Sequence, residues 1–305
     1  MPPSLKGFSF GAPVYAGIRT LRVCAGIGDN IWLIQKLVNA QERFKFLVAG
    51  EEPRRGRQIF DLLPSLAFST KYGEFYSRGV AIANATRPEA NATWASLRRR
   101  DDFYLSANEY METGRRIEEF LPDLPTSFRI DWMCPPAAKA EAAELLPEGV
   151  RWIGLYGCCY STARAWGFWG VVEWIRLASA LREALDAPVG FVVVGAAFDT
   201  DLGGRLVSML SALGMRVSVI IGRPLPVVVE AMKRMKFFFS FPSGLGILAP
   251  TVGCPTLMFY PPFLEKMKNA WADPKAIESG SYKGMVFPKP EEAFEWATKG
   301  YRRLC

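Results

Sequence analysis

The sequence predicts an α/β protein of two halves, each a run of alternating strands and helices around a parallel sheet. Three observations predict it. Strand-type and helix-type segments alternate along most of the chain with no fixed repeat period. Strand-type runs such as Val189–Val194 and Phe237–Phe239 are continuously apolar, as strands buried on both faces must be. Glycine turns separate a strand from a helix near the start of the chain and again near residue 243.

The elements follow in order. Leu21–Cys24 reads as a strand, Ala25–Asn30 as a glycine turn, and Ile31, Ile34, Leu37 and Val38 as the apolar face of a helix. Phe44–Ala49 is a second strand and Arg57–Leu63 a helix stopped by Pro64. Val80–Ala83 reads as a further strand, and Asn108–Leu121 as a helix ended by Pro122 and Pro125. Met133–Gly149 contains Pro135-Pro136 and an Ala/Glu/Lys helix, and reads as the passage between halves. The second half then runs strand Trp152–Tyr156, polar loop Gly157–Gly167, helix Val171–Leu185, strand Val189–Val194, helix Leu202–Leu213, strand Val217–Ile220 and helix Leu225–Met235. Strand Phe237–Phe239, a Pro-Ser-Gly turn, a short helix, Gly253-Cys254-Pro255 and strand Thr256–Tyr260 follow. The expected division is 1–148 and 149–305, two Rossmann-like domains facing across a cleft at their strand carboxyl ends. A last helix, Glu291–Tyr301, is expected to cross back to the first domain.

Composition bounds the function. At 305 residues and 50% hydrophobic content the chain supports a large core. No apolar run approaches the ~20 residues that cross a bilayer, and Met1–Gly11 lacks the pattern of a signal peptide, so a soluble cytoplasmic protein is expected. The six cysteines contain no C-x-x-C pair and read as buried small side chains rather than a zinc site or disulfide framework. Histidine is absent, which excludes a Ser-His-Asp triad, a Cys-His pair and any histidine base or metal ligand, and leaves a carboxylate as the proton acceptor. A net charge of +7 and a pI near 9.1 favour an anionic partner. The arginine clusters at 54–57, 98–100, 115–116 and 302–303 are solvated surface or phosphate contacts.

Three loops at strand carboxyl ends carry the chemistry. Ser243-Gly244-Leu245 stands where free backbone N–H groups at a helix start hold an anion, or where a turn merely packs. Gly26-Ile27-Gly28-Asp29-Asn30 permits close backbone approach but lacks a third fingerprint glycine, so NAD is not indicated; Asp29 reads as an N-cap, a base, or both. In Gly157–Trp166, Ser161 and Thr162 offer hydroxyls and Arg164 a planar fork suited to a diphosphate. Trp166 and Trp169 read first as domain packing.

On these residues the chain resembles the family 9 glycosyltransferases, the ADP-heptose lipopolysaccharide heptosyltransferases, which have a GT-B fold. In that family a Gly-x-Gly-Asp turn after the first strand carries the base, matched by Gly26, Gly28 and Asp29. A Ser/Thr loop with a basic residue before Trp holds the donor diphosphate, matched by Ser161, Thr162, Arg164 and Trp166. An acidic residue near the donor ribose is matched by Asp199 or Asp201. An Asp-Ser/Thr-Gly-x-x-His-Leu-Ala run before Gly-x-Pro is matched by Pro242–Ala249 and Gly253-Cys254-Pro255, with Pro242 and Ile247 replacing the family Asp and His. The resemblance implies an inverting, metal-independent transfer from a nucleotide-sugar donor, with no cofactor, to a hydroxyl acceptor on a glycan or lipopolysaccharide. Asp29 is its base, Gly26, Gly28 and Asn30 its acceptor-side neighbours, and Ser161, Thr162, Arg164, Asp199 and the Ser243-Gly244-Leu245 backbone its donor contacts. The loss at 242 and 247 raises a non-catalytic nucleotide or glycan binder as the alternative. A transferase acting on modified DNA bases fits the charge, but no nucleic-acid motif is present. Asp199-Thr200-Asp201 is also the D-x-D pattern of metal-dependent GT-A enzymes, although the second anion-type loop after it favours the two-domain reading.

Overall fold

The computed structural model of the chain describes residues 19–24, 27–39, 44–49, 58–59, 62–63, 103–104, 113–157, 169–185 and 188–304. The chain divides into two compact units, Met1–Ala107 and Asn108–Cys305. The second unit thus starts well before the expected boundary at 148/149. Residues read as a passage between halves pack into it: the Ile117 N–H donates to Ala270 O at 2.7 Å, the Ile130 N–H to Thr251 O at 3.0 Å, and Trp132 Nε1 to Thr251 Oγ1 at 3.1 Å.

In the first unit β1 (Arg19–Cys24) pairs in parallel with β2 (Phe44–Ala49) and β3 (Phe103–Tyr104), in the order β2-β1-β3. Between β1 and β2 lies α1 (Ile27–Leu37). Ile31, Leu33 and Ile34 are fully buried, with Trp32 and Leu37 nearly so. Apolar residues therefore cover more of this helix than one stripe, the mark of a helix enclosed by protein. Only Gln58 and Ile59 of the expected helix 57–63 are helical among the described residues, and the expected strand 80–83 lies outside them.

The second unit holds six parallel strands, β4 (Arg151–Tyr156), β5 (Val189–Gly195), β6 (Arg216–Ile221), β7 (Met235–Ser240), β8 (Thr256–Tyr260) and β9 (Tyr282–Val286). Their order is β6-β5-β4-β7-β8-β9, the doubly wound order of a dinucleotide-binding fold. The helices are α2 (Pro136–Leu145), α3 (Val171–Ala184), α4 (Thr200–Ala212), α5 (Leu225–Arg234), α6 (Gly244–Thr251), α7 (Pro274–Glu278) and α8 (Pro290–Leu304). Strand periodicity sorts the side chains. Ile153, Leu155, Phe191, Val193, Phe237, Phe239, Leu257 and Phe259 share one core with Trp174 and Leu177 of α3, Leu206 and Leu210 of α4, and Ala293, Trp296 and Ala297 of α8. Intervening residues such as Phe238, Ser240 and Met258 point to the opposite face, where α6 packs on β7 and β8.

Helix α8 packs on this unit's own core, with Trp296 edge-on to Phe237 and Phe239 at 5.7 and 6.1 Å. One expectation needs correction here. No α-helix forms over residues 113–121, where a single 3-10 turn, Ile117–Glu119, replaces it. Gly114 has φ +83, and the Arg116 guanidinium bonds to Glu118 two residues on and to the distant carbonyls Asn269 O and Ala272 O. Strand β9 was not foreseen, because Lys283 and Gly284 interrupt its apolar pattern.

Beside β9 runs a one-way hydrogen-bond chain. Trp271 Nε1 donates to Tyr260 OH at 2.9 Å, and Tyr282 OH donates to Lys268 O at 2.6 Å. The 3.1 Å contact between the two tyrosine hydroxyls therefore has Tyr260 as donor. Burial pushes both phenols well above their ordinary range, so the chain stays neutral. Tyr282→Phe leaves the Tyr260 hydroxyl without its acceptor and is expected to cost about 1–3 kcal/mol in urea unfolding. An unchanged midpoint would contradict this directionality. Of the described cysteines, Cys254 is buried and Cys134 partly so, and burial and nearby Glu230 push the Cys134 thiol up to about 12. Both behave as small packing residues.

Candidate functional site

In an open parallel sheet, ligands bind outside the strand carboxyl ends where the strand order reverses. That point lies between β4 and β7, which pair with Tyr156 opposite Ser240, the last residue of each strand. The two second-unit loops singled out in the sequence leave from these neighbouring ends: Gly157 follows Tyr156, and Phe241-Pro242-Ser243 follows Ser240. Of the first loop, Ser161, Thr162, Arg164 and Trp166 lie outside the described residues.

The second loop ends in a capped helix start. Ser243 is the N-cap of α6, with extended backbone (φ −154, ψ 170), and its hydroxyl accepts the Gly246 N–H at 3.3 Å. The Ile247 N–H bonds to Ser243 O at 2.9 Å. The Gly244 and Leu245 N–H groups have no acceptor within the helix, as first-turn donors do not. Ser243 and Gly244 are partly exposed, whereas Leu245 is buried as a hydrophobic anchor. The arrangement offers outward-pointing N–H groups to an anion at the β4–β7 carboxyl ends. Ile247, in place of the family histidine, is 4% exposed and packs inward, so this position presents no polar group.

Asp199 is buried at the carboxyl end of β5, where its Oδ2 accepts the Ala196 N–H at 2.7 Å and closes the turn into α4. Of the two candidates for a ribose contact it is the one tied to the backbone, and Asp201 is the exposed one. Among the described residues no three acidic or cysteine side chains cluster as metal ligands.

In the first unit Gly28, Asp29 and Asn30 belong to the first turn of α1, and Gly26 lies outside the described residues. Asp29 is the third residue of the helix rather than its N-cap, because the helix begins at Ile27. A carboxylate there is favoured by the helix dipole and by its own backbone N–H. Burial opposes this and wins, pushing the carboxyl from 3.8 up to about 6. Gly28 and Asn30 on either side are buried. An acid tuned to about 6 is suited to exchanging a proton near neutral pH.

Sequence reasoning missed one polar group at the switch point. Trp174 of α3 is 2% exposed, and its Nε1 has no hydrogen-bond partner among the described residues. The periodic pattern of α3 marked Trp174 only as an apolar position. The packing role expected of Trp169 is what the structure shows: it is buried, and its Nε1 donates to Pro288 O at 2.7 Å.

No family model matches the sequence, and no curated protein matches it. The chain is similar to the structure of the E. coli ADP-heptose LPS heptosyltransferase II, with TM-score 0.59 and 12% identity over 94% of this chain and 99% of the other. It is similar to the glycosyl transferase family 9 structure from Veillonella parvula, with TM-score 0.59 and 12% identity over 93% and 97%. The E. coli heptosyltransferase WaaC with ADP aligns at TM-score 0.50 and 14% identity over 94% and 99%. No helix among the described residues is long and apolar enough to cross a membrane. The fold, over nearly the whole chain, is that of the family 9 heptosyltransferases.

Proposed function

We propose that this protein is a glycosyltransferase that moves a sugar from a nucleoside-diphosphate donor to a hydroxyl of a glycan or lipopolysaccharide-like acceptor. The observation that carries the proposal is the Ser243-capped start of α6 at the β4–β7 switch point, within a fold shared with ADP-heptose lipopolysaccharide heptosyltransferase II. The donor diphosphate sits on the Gly244 and Leu245 N–H groups, with Ser161, Thr162 and Arg164 as its side-chain partners. Asp29, ionised, takes the proton of the acceptor hydroxyl. The acceptor oxygen attacks the anomeric carbon as the bond to the diphosphate oxygen breaks, which inverts the centre. The nucleoside diphosphate leaves with the bond's electrons, its charge met by Arg164 and the helix N–H groups. This chemistry needs no metal and is assigned to the cytoplasm, where nucleotide sugars serve as co-substrates.

The test is thermal melting with ADP-, GDP-, UDP-, CMP- and dTDP-linked sugars and the free diphosphates, with and without EDTA. One nucleotide class is expected to raise the melting temperature, EDTA to leave the rise intact, and Arg164→Ala to remove it. A flat response to every nucleotide overturns the donor site. Pro242 and the inward-packed Ile247 favour a second reading, a binder that no longer transfers. Tight nucleotide binding with no turnover of any sugar donor would select it.

A further inference from the structure

We propose that Trp174 is a ligand-binding residue whose indole N–H donates to a phosphate oxygen of a nucleoside diphosphate at the carboxyl end of β4. The inference rests on the donor site proposed above and adds to it a contact that neither the loop sequences nor the helix start supplies.

Three observations meet at this side chain. The ring is fixed on several sides: Trp169 lies edge-on at 4.8 Å, Phe259 tilted at 5.5 Å and Phe241 edge-on at 5.9 Å. Phe241 leads directly into Pro242-Ser243, so the same packing couples Trp174 to the start of α6. The indole's nitrogen-bearing edge lies against Gly157, where a Cβ would stand 2.4 Å from Nε1, 2.7 Å from Cε2 and 2.9 Å from Cδ1. Glycine is thus required at 157 to seat the indole, and Gly157 is itself partly exposed at the switch point. Finally, the N–H has no acceptor among the described residues although the side chain is buried. In the same unit Trp132, Trp152, Trp169 and Trp271 show the ordinary outcome, each donating to an oxygen at 2.7–3.1 Å. Trp32 Nε1 in the first unit is also without a partner among the described residues, and what sets Trp174 apart is its place against Gly157 at the end of β4. A buried donor left unsatisfied is a cost that needs an explanation, and a ligand oxygen at the end of β4 supplies one. The chemistry selects the partner: an indole N–H is donor only and seeks an oxygen acceptor, which a diphosphate reaching the end of β4 provides.

Trp174→Phe keeps an aromatic ring and deletes the N–H. It is expected to weaken binding of the responding diphosphate, from ADP, GDP and UDP, by about tenfold, while the smaller ring in a packed core lowers the melting temperature of the free protein. A purely structural tryptophan would give the lower melting temperature with an unchanged Kd. In ¹⁵N-indole spectra of the wild type, the Trp174 signal, identified by its NOE to Gly157, is expected to move downfield and exchange more slowly when the diphosphate is added. Should the variant not fold, this measurement decides alone. Diphosphate binding with an unmoved Trp174 signal overturns the inference and leaves the donor site standing. A wild type that binds no nucleotide removes both.

Discussion

Asp29→Asn is expected to lower sugar transfer by about 10²–10⁴-fold and, in the same protein, to raise stability at pH 7 by about 2–3 kcal/mol. Both effects come from one carboxyl. Burial raises its pKa from 3.8 to about 6. Between those values the folded protein holds a proton that the unfolded chain has released, so stability falls as pH rises through this window. Above about pH 6 the whole penalty is in place. Asparagine carries no charge to desolvate and keeps an oxygen for the backbone N–H, so it removes the penalty. Urea unfolding of both proteins from pH 4 to 8 should show a stability gap that opens between pH 4 and 6 and is flat above. A gap independent of pH would mean that burial does not tune Asp29. The kcat/KM of the wild type has the opposite sign: it should rise with pH and level off above an apparent pKa near 6, where the base is ionised. Because the chain has no histidine, tag-free protein has no imidazole to imitate this limb.

Much of the second unit was legible in the sequence because several of its strands are apolar runs next to glycine or proline. Val189–Gly195 and Thr256–Tyr260 have no polar alternation to be misread, and the Ser243-Gly244 start announced α6 by its cap. That the second unit's two loops leave strand carboxyl ends followed from which strands lead into which loops, and strand order then placed them at the β4–β7 switch point. What was not legible depended on tertiary contacts. Arg116 looked like one charge on a helical face, yet its guanidinium is held by carbonyls more than 150 residues away, and that contact beats helix propensity over 115–119. Strand β9 pairs along all five of its residues with β8 despite Lys283 and Gly284, because an edge strand borrows its register from its neighbour. Helix α8 shows one strongly apolar face, but no pattern says which surface that face will cover; Trp296 against Phe237 and Phe239 answers it. At the site, sequence identified Asp29 by its glycine turn but placed it at the cap. Its altered acidity comes from burial inside the first turn of α1, which a motif cannot express.

Gly246→Ala should destabilise the protein by about 1–3 kcal/mol and weaken nucleotide binding tenfold or more, against the ordinary preference of a helix for alanine by about 1 kcal/mol. Gly246 is the third residue of α6, where the helix lies against the sheet. A Cβ there would stand 2.6 Å from Ser240 Oγ, 2.8 Å from Met258 Cε and 2.9 Å from Phe241 O. The methionine tip can swing aside. The other two cannot, because Ser240 Oγ donates to Phe241 O at 2.6 Å and Ser240 is the last residue of β7. The helix must therefore lift from the sheet, and the Ser243 cap and the Gly244 and Leu245 N–H groups go with it. Gly204 in α4 is the opposing case: a Cβ there meets nothing within 4 Å, so Gly204→Ala should stabilise by about 0.5–1 kcal/mol and leave nucleotide binding alone. Measured together by urea unfolding and nucleotide titration, the two variants separate helix propensity from docking. If Gly246→Ala stabilised as Gly204→Ala does, α6 would not be locked to the carboxyl end of β7, and a fixed anion site at its start would lose its physical basis.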